Sequence, residues 1–242
     1  MEDIYLKHRK VWNEKKLLRE IYSEWYQKII NDLSLSVGKT LELGGGGGNF
    51  KEFKPDVISA DIVPLDWLDM CFDAHEMPFK ENEISNIVMI DVLHHLNDPI
   101  KFLNESYRVL NTGSRIIMIE PFPSPFSLMI YKKFHPEPFD KTVDYFSEFE
   151  NNSDKDPWDS NQAIPYLLFY KFRNKFNELF GNKFKFIKKE KFSFVLYPAS
   201  GGFENKQMIP DNMTGVVKLI EKSLNPLKDL LAFRCYIVLE KI

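Results

Sequence analysis

At 242 residues, 44% hydrophobic and 28% charged, the chain has the size and composition of one globular domain with a full core. That balance excludes collagen, coiled coil and intrinsic disorder. A net charge of −3 speaks against a nucleic-acid binder held by bulk electrostatics, and no run of about 20 apolar residues is present to span a bilayer. Cys71 and Cys235 form neither a CxxC pair nor a disulfide framework, and the start MEDIYLKHRK lacks the apolar centre of a signal peptide. A soluble cytoplasmic protein is expected.

Residues 11–35 read as an amphipathic helix. Val11, Leu18, Ile21, Trp25 and Ile29 recur at helical spacing, while Glu14, Lys15, Glu20 and Lys28 fall mostly off that stripe. From Thr40 the pattern changes to short apolar runs ended by turn signals. Thr40–Leu43 leads into a glycine run, Val57–Ala60 ends at Asp61, Ile87–Ile90 ends at Asp91, and Arg115–Ile119 ends at Glu120-Pro121. Apolar runs without alternation suit strands covered on both faces, as in a parallel sheet. Between the last two, Asp98–Leu110 carries Ile100, Leu103, Tyr107 and Leu110 at helical spacing, with Asp98 as N-cap and Pro99 at the first helical position. Strand–helix–strand alternation predicts a doubly wound α/β sheet.

Beyond Glu120 the chain becomes rich in proline and aromatic residues. Residues 122–165 read as an insertion packed over the sheet, because a linker has no use for Phe122, Phe126, Phe134, Phe139 and Trp158. Tyr166–Phe180 reads as a basic amphipathic helix closed by Gly181. Phe192–Leu196 and Cys235–Leu239 look like two further strands, with a helix around Val216–Leu224 between them, and the alternation of Lys183–Lys191 suits a strand with a solvated face. The whole is expected to be a single domain: a helical cap over 1–37, a ligand-binding core over 38–121, a lid over 122–165 and the end of the sheet over 166–242.

Five of the 11 glycines stand together, Gly44 to Gly48. Glycine in ordered structure costs about 1 kcal/mol, so five in a row need a reason. A glycine-rich turn after a buried strand lets a ligand approach the backbone where a Cβ would collide, at the carboxyl edge of a doubly wound sheet. The alternative is a tight strand–helix turn that binds nothing. The acidic neighbours indicate the ligand. Glu42 sits two residues before Gly44, where a carboxylate repels a pyrophosphate and attracts a cationic amino group. Asp61, 17 residues after Gly44, is placed to accept the hydroxyls of a ribose, and Asp73 to meet an adenine amino group. Three acidic groups, with no basic residue in the loop, fit a nucleoside carrying an amino acid better than a dinucleotide.

These stretches resemble the class I S-adenosylmethionine-dependent methyltransferases, in particular the small-molecule group called type 11. The likeness rests on LELGGGGGNF (41–50), SADIVP (59–64), DAHEMPF (73–79) and NIVMIDVLHHLNDPIKFLNESYRVLNTGSRIIMIEP (86–121), in the order the family shows. It implies a Rossmann-like, mostly parallel seven-stranded sheet whose last strand runs antiparallel. It implies S-adenosylmethionine as cofactor, with Glu42, Gly44, Gly45, Gly46 and Gly48 at its methionine end, Asp61 and Ile62 at the ribose, Asp73 and Ala74 at the adenine, and Asp91 at the sulfonium. Only eight residues separate Gly48 from Val57, so the first crossover helix must be very short or irregular.

Methyl transfer is an in-line displacement at a carbon the sulfonium already activates, so positioning supplies much of the rate. A base is needed only for an acceptor that must lose a proton, and His94 and His95 are the candidates. Their alternative is packing at a helix start. No metal is expected, because adjacent histidines point in different directions and no carboxylate stands at ligand spacing. Tyr131, His135, Trp158, Asn161 and Gln162 are candidate contacts to a small or medium organic acceptor. No nucleic-acid partner is expected, and the oligomeric state is not legible. Two other readings compete: a non-catalytic partner or sensor that only binds the cofactor, and a nicotinamide-dependent oxidoreductase, which Glu42 disfavours.

Overall fold

In the computed structural model, residues 2–134, 137–147 and 160–242 are described. Two helices come first, α1 (Glu2–Glu14) and α2 (Lys16–Asn31). The single helix expected over 11–35 is broken at Lys15, whose φ of −93° and ψ of 94° are extended. There the Lys15 ammonium turns to the carbonyls of Ser200, Gly202 and Asn205. Strand β1 (Lys39–Leu43) runs into the glycine loop, and a single 3-10 turn over Asn49–Glu52 is all that fills the short crossover to β2 (Ile58–Asp61). A two-residue strand β3 (Met70–Cys71) and the long β4 (Ile84–Ile90) follow.

Helix α3 (Pro99–Val109) starts as the sequence predicts: Asp98 accepts the backbone N–H groups of Ile100 and Lys101, and Pro99 needs no such partner. The chain continues through β5 (Leu110–Pro121), longer at its start than the expected Arg115–Ile119, and α4 (Pro125–Phe134). The expected helix over Tyr166–Phe180 is composite. A short α5 (Ile164–Tyr166) passes into a π-turn over Leu167–Lys171, marked by the Phe172 N–H reaching the carbonyl of Leu167, before α6 (Arg173–Phe180). Then come β6 (Phe184–Phe192), α7 (Leu196–Ser200), α8 (Thr214–Ser223), α9 (Lys228–Leu231) and β7 (Arg234–Lys241).

The strand expected at Phe192–Leu196 is a correction to make. Pairing stops at Phe192, Ser193 takes a φ of +63°, and α7 begins at Leu196. The cause is Glu221 on α8, whose carboxylate accepts the N–H groups of Phe194, Val195 and Leu196 at 2.6, 2.8 and 3.0 Å. Donors that a neighbouring strand would satisfy are satisfied by a side chain instead.

The seven strands form one sheet in the order β3-β2-β1-β4-β5-β7-β6, parallel except for β7, which pairs antiparallel with β5 and β6. Alternate residues of the central strands bury opposite faces. Ile87, Met89, Ile116, Met118, Ile237 and Leu239 meet α3 and the Phe169, Phe176 and Phe180 cluster. Val88, Ile117, Ile119, Tyr236 and Val238 meet Leu18, Ile21, Trp25 and Ile29 of α2. This double cover explains why the strand sequences do not alternate. The order reverses between β1 and β4, and the crevice outside the carboxyl ends of strands at such a reversal is where ligands bind in this architecture. Among the described residues no helix is long and apolar enough to cross a membrane.

Glu221→Ala strands three backbone donors and is expected to lower the free energy of unfolding by about 2–3 kcal/mol, measured by urea denaturation. Lys222→Ala, on the neighbouring exposed position, is expected to change it by no more than about 0.5 kcal/mol.

Candidate active site

A cavity of about 930 Å³ opens at the reversal point. Its floor is the glycine loop. Gly44, Gly46 and Gly48 have φ of +66°, +47° and +75°, a region that favours glycine. A Cβ on Gly44 would lie 2.3 Å from Val92 and one on Gly45 2.3 Å from the Ser59 hydroxyl, so the loop admits no larger residue there. Gly44 to Gly47 line the cavity, whereas Gly48 packs against the Trp67 ring.

Glu42 lies beneath this loop, buried, and accepts the Ser59 hydroxyl at 2.5 Å. Burial pushes its carboxyl up to about 8, against the opposing pull of that hydrogen bond. Asp61 ends β2 and faces the loop, accepting the Gly46 N–H at 3.0 Å, the Val63 N–H at 3.2 Å and the Tyr5 hydroxyl at 3.4 Å. Burial raises its carboxyl, and those backbone donors oppose the rise. Ile62 lines the cavity beside it. Asp73 and Ala74 stand at the far rim, where Asp73 is bound to the N–H and Nδ1 of His75, contacts that hold its carboxyl below the usual range. A basic group reaches the loop from far away in sequence: Arg9 of α1 donates to the Gly47 carbonyl at 2.9 Å while stacking on Trp67. Trp67 in turn donates to the Gly46 carbonyl at 2.7 Å.

The opposite end of the cavity is built on Glu120, the last acidic residue of β5 and wholly buried. One of its oxygens accepts the N–H groups of Val92 and Leu93 at 2.9 and 2.8 Å, and the other meets His94 Nδ1 at 2.7 Å. On its far side His94 Nε2 stands 3.5 Å from Glu137. Burial works against charge on this imidazole, but the two carboxylates outweigh it and raise its pKa to about 9. An imidazole that keeps its proton between two carboxylates is not a free base at neutral pH, so the role expected of His94 requires that arrangement to change. His95 lines the same wall, its ring centroid 4.2 Å from that of His94. The expectation that neighbouring histidines diverge with no carboxylate near is overturned: ligand atoms of His94, His95 and Glu137 lie within 4.8 Å of one another.

Asp91, at φ +59°, projects into the cavity and pairs with the buried guanidinium of Arg234 at the start of β7. Arg234 also stacks on Tyr197 at 4.4 Å, and despite its burial the neighbouring Asp91 holds it charged. Tyr22, Tyr131 and Tyr197 surround it, Tyr131 donating to the Phe233 carbonyl at 2.9 Å. Of the expected acceptor contacts, Tyr131 and Gln162 line the cavity. Asn161 does not. Its amide is used up inside the insertion, bonded to Asp140, Tyr145 and the Ala163 N–H. His135 and Trp158 lie outside the described residues. Sequence reasoning missed Arg234, Glu137, Tyr5 and the aromatic side chains other than Tyr131, namely Tyr22, Tyr197, Phe126 and Phe233. A lone arginine leading the apolar run of β7 was a usable signal, whereas the others reach the site only through the tertiary fold.

Residues 41–118 match the sequence model of a family described as a methyltransferase domain. None of the curated proteins is a significant match. Among solved structures, a SAM-dependent methyltransferase from Archaeoglobus fulgidus aligns over 93% of this chain and 94% of its own, with TM-score 0.57 and 17% identity. A Thermotoga maritima protein described as a SAM-dependent methyltransferase and possible histamine N-methyltransferase aligns over 100% and 99%, with TM-score 0.52 and 13% identity. At such identities the likeness is one of fold, and the fold is the Rossmann-like α/β sheet of class I methyltransferases. The domain match runs over the glycine loop and both following acidic strands, about a third of the chain, and together with the fold it supports a methyltransferase that uses S-adenosylmethionine.

The raised carboxyl of Glu42 fixes how stability responds to pH. Between about 4.5 and about 8 the unfolded chain has lost this proton and the folded one keeps it, so the group's contribution falls as pH rises through that window. Glu42→Gln is expected to raise Tm by several degrees at pH 8, and less at pH 5.5, in thermal melts.

Proposed function

We propose that the chain transfers a methyl group from S-adenosylmethionine to a small or medium organic acceptor with a largely apolar body. What supports this reading is that one cavity contains both the acidic glycine loop and the aromatic end built around Arg234 and His94. Its volume of about 930 Å³ lies near the top of the usual range for a single ligand, about 300–1,000 Å³, which leaves room for donor and acceptor together.

The residues at the loop end suit the cofactor. Glu42 beneath Gly44 and Gly45 would attract the ammonium of its methionine part, and a buried carboxylate does so strongly once ionised. Asp61 and Ile62 would hold the ribose side, and Asp73 with Ala74 the edge of the adenine. When bound, the cofactor supplies a methyl group on a sulfonium. The chain's own contribution is to place the acceptor in line and keep water out, the task for which a wall of Tyr22, Tyr131, Tyr197, Phe126 and Phe233 is fitted. Asp91 would face the sulfonium end, its charge shared with Arg234. Oxygen, nitrogen and carbon acceptors all fit such a chamber.

Calorimetry with S-adenosylhomocysteine tests this. Binding in the micromolar range is expected, weakened about 10- to 100-fold by Asp61→Ala through the loss of hydrogen bonds to a charged group. Glu42→Gln is expected to weaken S-adenosylhomocysteine while leaving 5′-methylthioadenosine, which lacks the amino acid, unchanged. No heat with either nucleoside would overturn the proposal.

A further inference from the structure

We propose that His94 Nε2, an imidazole nitrogen of His95 and a carboxylate oxygen of Glu137 form a site for a divalent transition-metal ion of the zinc type, on the wall of the chamber that receives the methyl acceptor. The assignment of that wall to the acceptor rests on the methyltransferase reading above. The metal site itself rests on side-chain geometry.

The two contacts of the His94 ring differ in kind. Nδ1 stands 2.7 Å from Glu120, the length of a charge-assisted hydrogen bond. Nε2 stands 3.5 Å from Glu137, beyond the ordinary hydrogen-bond range of about 2.7–3.2 Å. A metal bound to nitrogen and oxygen at about 2.0–2.2 Å with tetrahedral angles holds those atoms about 3.4 Å apart. The gap between His94 and Glu137 has that width. His95 completes a set of three, with all ligand atoms within 4.8 Å of one another.

The surroundings have the form of a metal centre. A ligating histidine commonly passes its second nitrogen to a carboxylate, which fixes the ring and raises its basicity, and Glu120 occupies that place. Gln162 donates to Glu137 at 3.0 Å, and the backbone N–H of Gln162 is tied to the Pro138 carbonyl, so the insertion holds the third ligand in position. The Asn161 N–H bonds to the carbonyl of His94 itself. Asp91, His94 and Glu120 are also close together. That second grouping is a brace, since Glu120 already accepts two backbone donors and Asp91 is paired with Arg234.

Two imidazoles and one carboxylate favour zinc, iron or cobalt over magnesium or calcium, and three protein ligands leave a position open to the cavity. A hydroxyl of the acceptor drawn to that position releases its proton to solvent more readily. Its oxygen lone pair then forms the new bond to the methyl carbon, while the carbon–sulfur bond breaks and its electrons remain on sulfur.

Metal-free protein titrated with Zn2+, and with Co2+ followed by visible absorption, gives the test. One ion per chain is expected, with affinity reduced at least about 100-fold in His95→Ala and in Glu137→Gln. Both variants are expected to keep native S-adenosylhomocysteine binding, which shows that fold and cofactor site survive. Absence of metal binding by native protein that still binds S-adenosylhomocysteine would leave only an imidazolium–carboxylate pair and overturn the proposal. Metal binding unaffected by both substitutions would also overturn it. Failure of the nucleoside to bind bears on the methyltransferase reading alone.

Discussion

A carboxylate sealed inside a protein is costly unless donors meet it there, and Glu120 gathers three by organising the chain around it. It ends β5, yet its hydrogen bonds go to the turn that follows β4. Two adjacent strands are thereby locked at their carboxyl ends, where the sheet offers its ligand site. The orientation of His94, the exposure of Asp91 to the cavity and the approach of β7 with Arg234 all follow from where this turn is held. Replacing Glu120 with an apolar residue would leave two backbone donors and an imidazole without their shared acceptor.

The loop at the other end is supported differently. A long crossover helix ordinarily follows a nucleotide-binding glycine turn and lends it the positive end of its dipole. Here a single 3-10 turn stands in that position. The loop is held instead by side chains: Arg9 and Trp67 bind its carbonyls, and Asp61 binds the Gly46 N–H. With a weak helix terminus and Glu42 below, the loop is a poor receptor for phosphate and a good one for a cation. This is consistent with the acidic pattern read from the sequence, and the arginine at its rim does not reverse it, because that arginine is spent on a backbone carbonyl and an indole.

The sheet was legible because its strands are buried on both faces and ended by acidic residues, and α3 because Asp98 and Pro99 mark its start. The short crossover was legible from mere counting. Phe192–Leu196 misled because its apolar, aromatic composition is that of a strand, while the side chain that diverts it, Glu221, lies on a helix more than twenty residues away. The acceptor end was the least legible. Adjacent histidines give no hint that a carboxylate from the insertion will stand beside both, and Asn161 looks free for binding until Tyr145 and Asp140 are seen to use it. Local pattern thus reads the cofactor half, whereas the acceptor half depends on which distant segments the fold brings together.

Side chains of α1 reach the glycine loop and the turn and strand that follow it, across sequence separations of 38 for Arg9 with Gly47, 40 for Trp12 with Glu52 and 56 for Tyr5 with Asp61. Contacts of such range belong to the slow, non-local part of folding, because the entropy of closing the chain between them must be met before they form. The loop of five glycines, with the greatest freedom to lose, therefore depends on the arrival of the chain's first helix for its final shape. During synthesis the residues that anchor the site emerge from the ribosome before the residues they anchor.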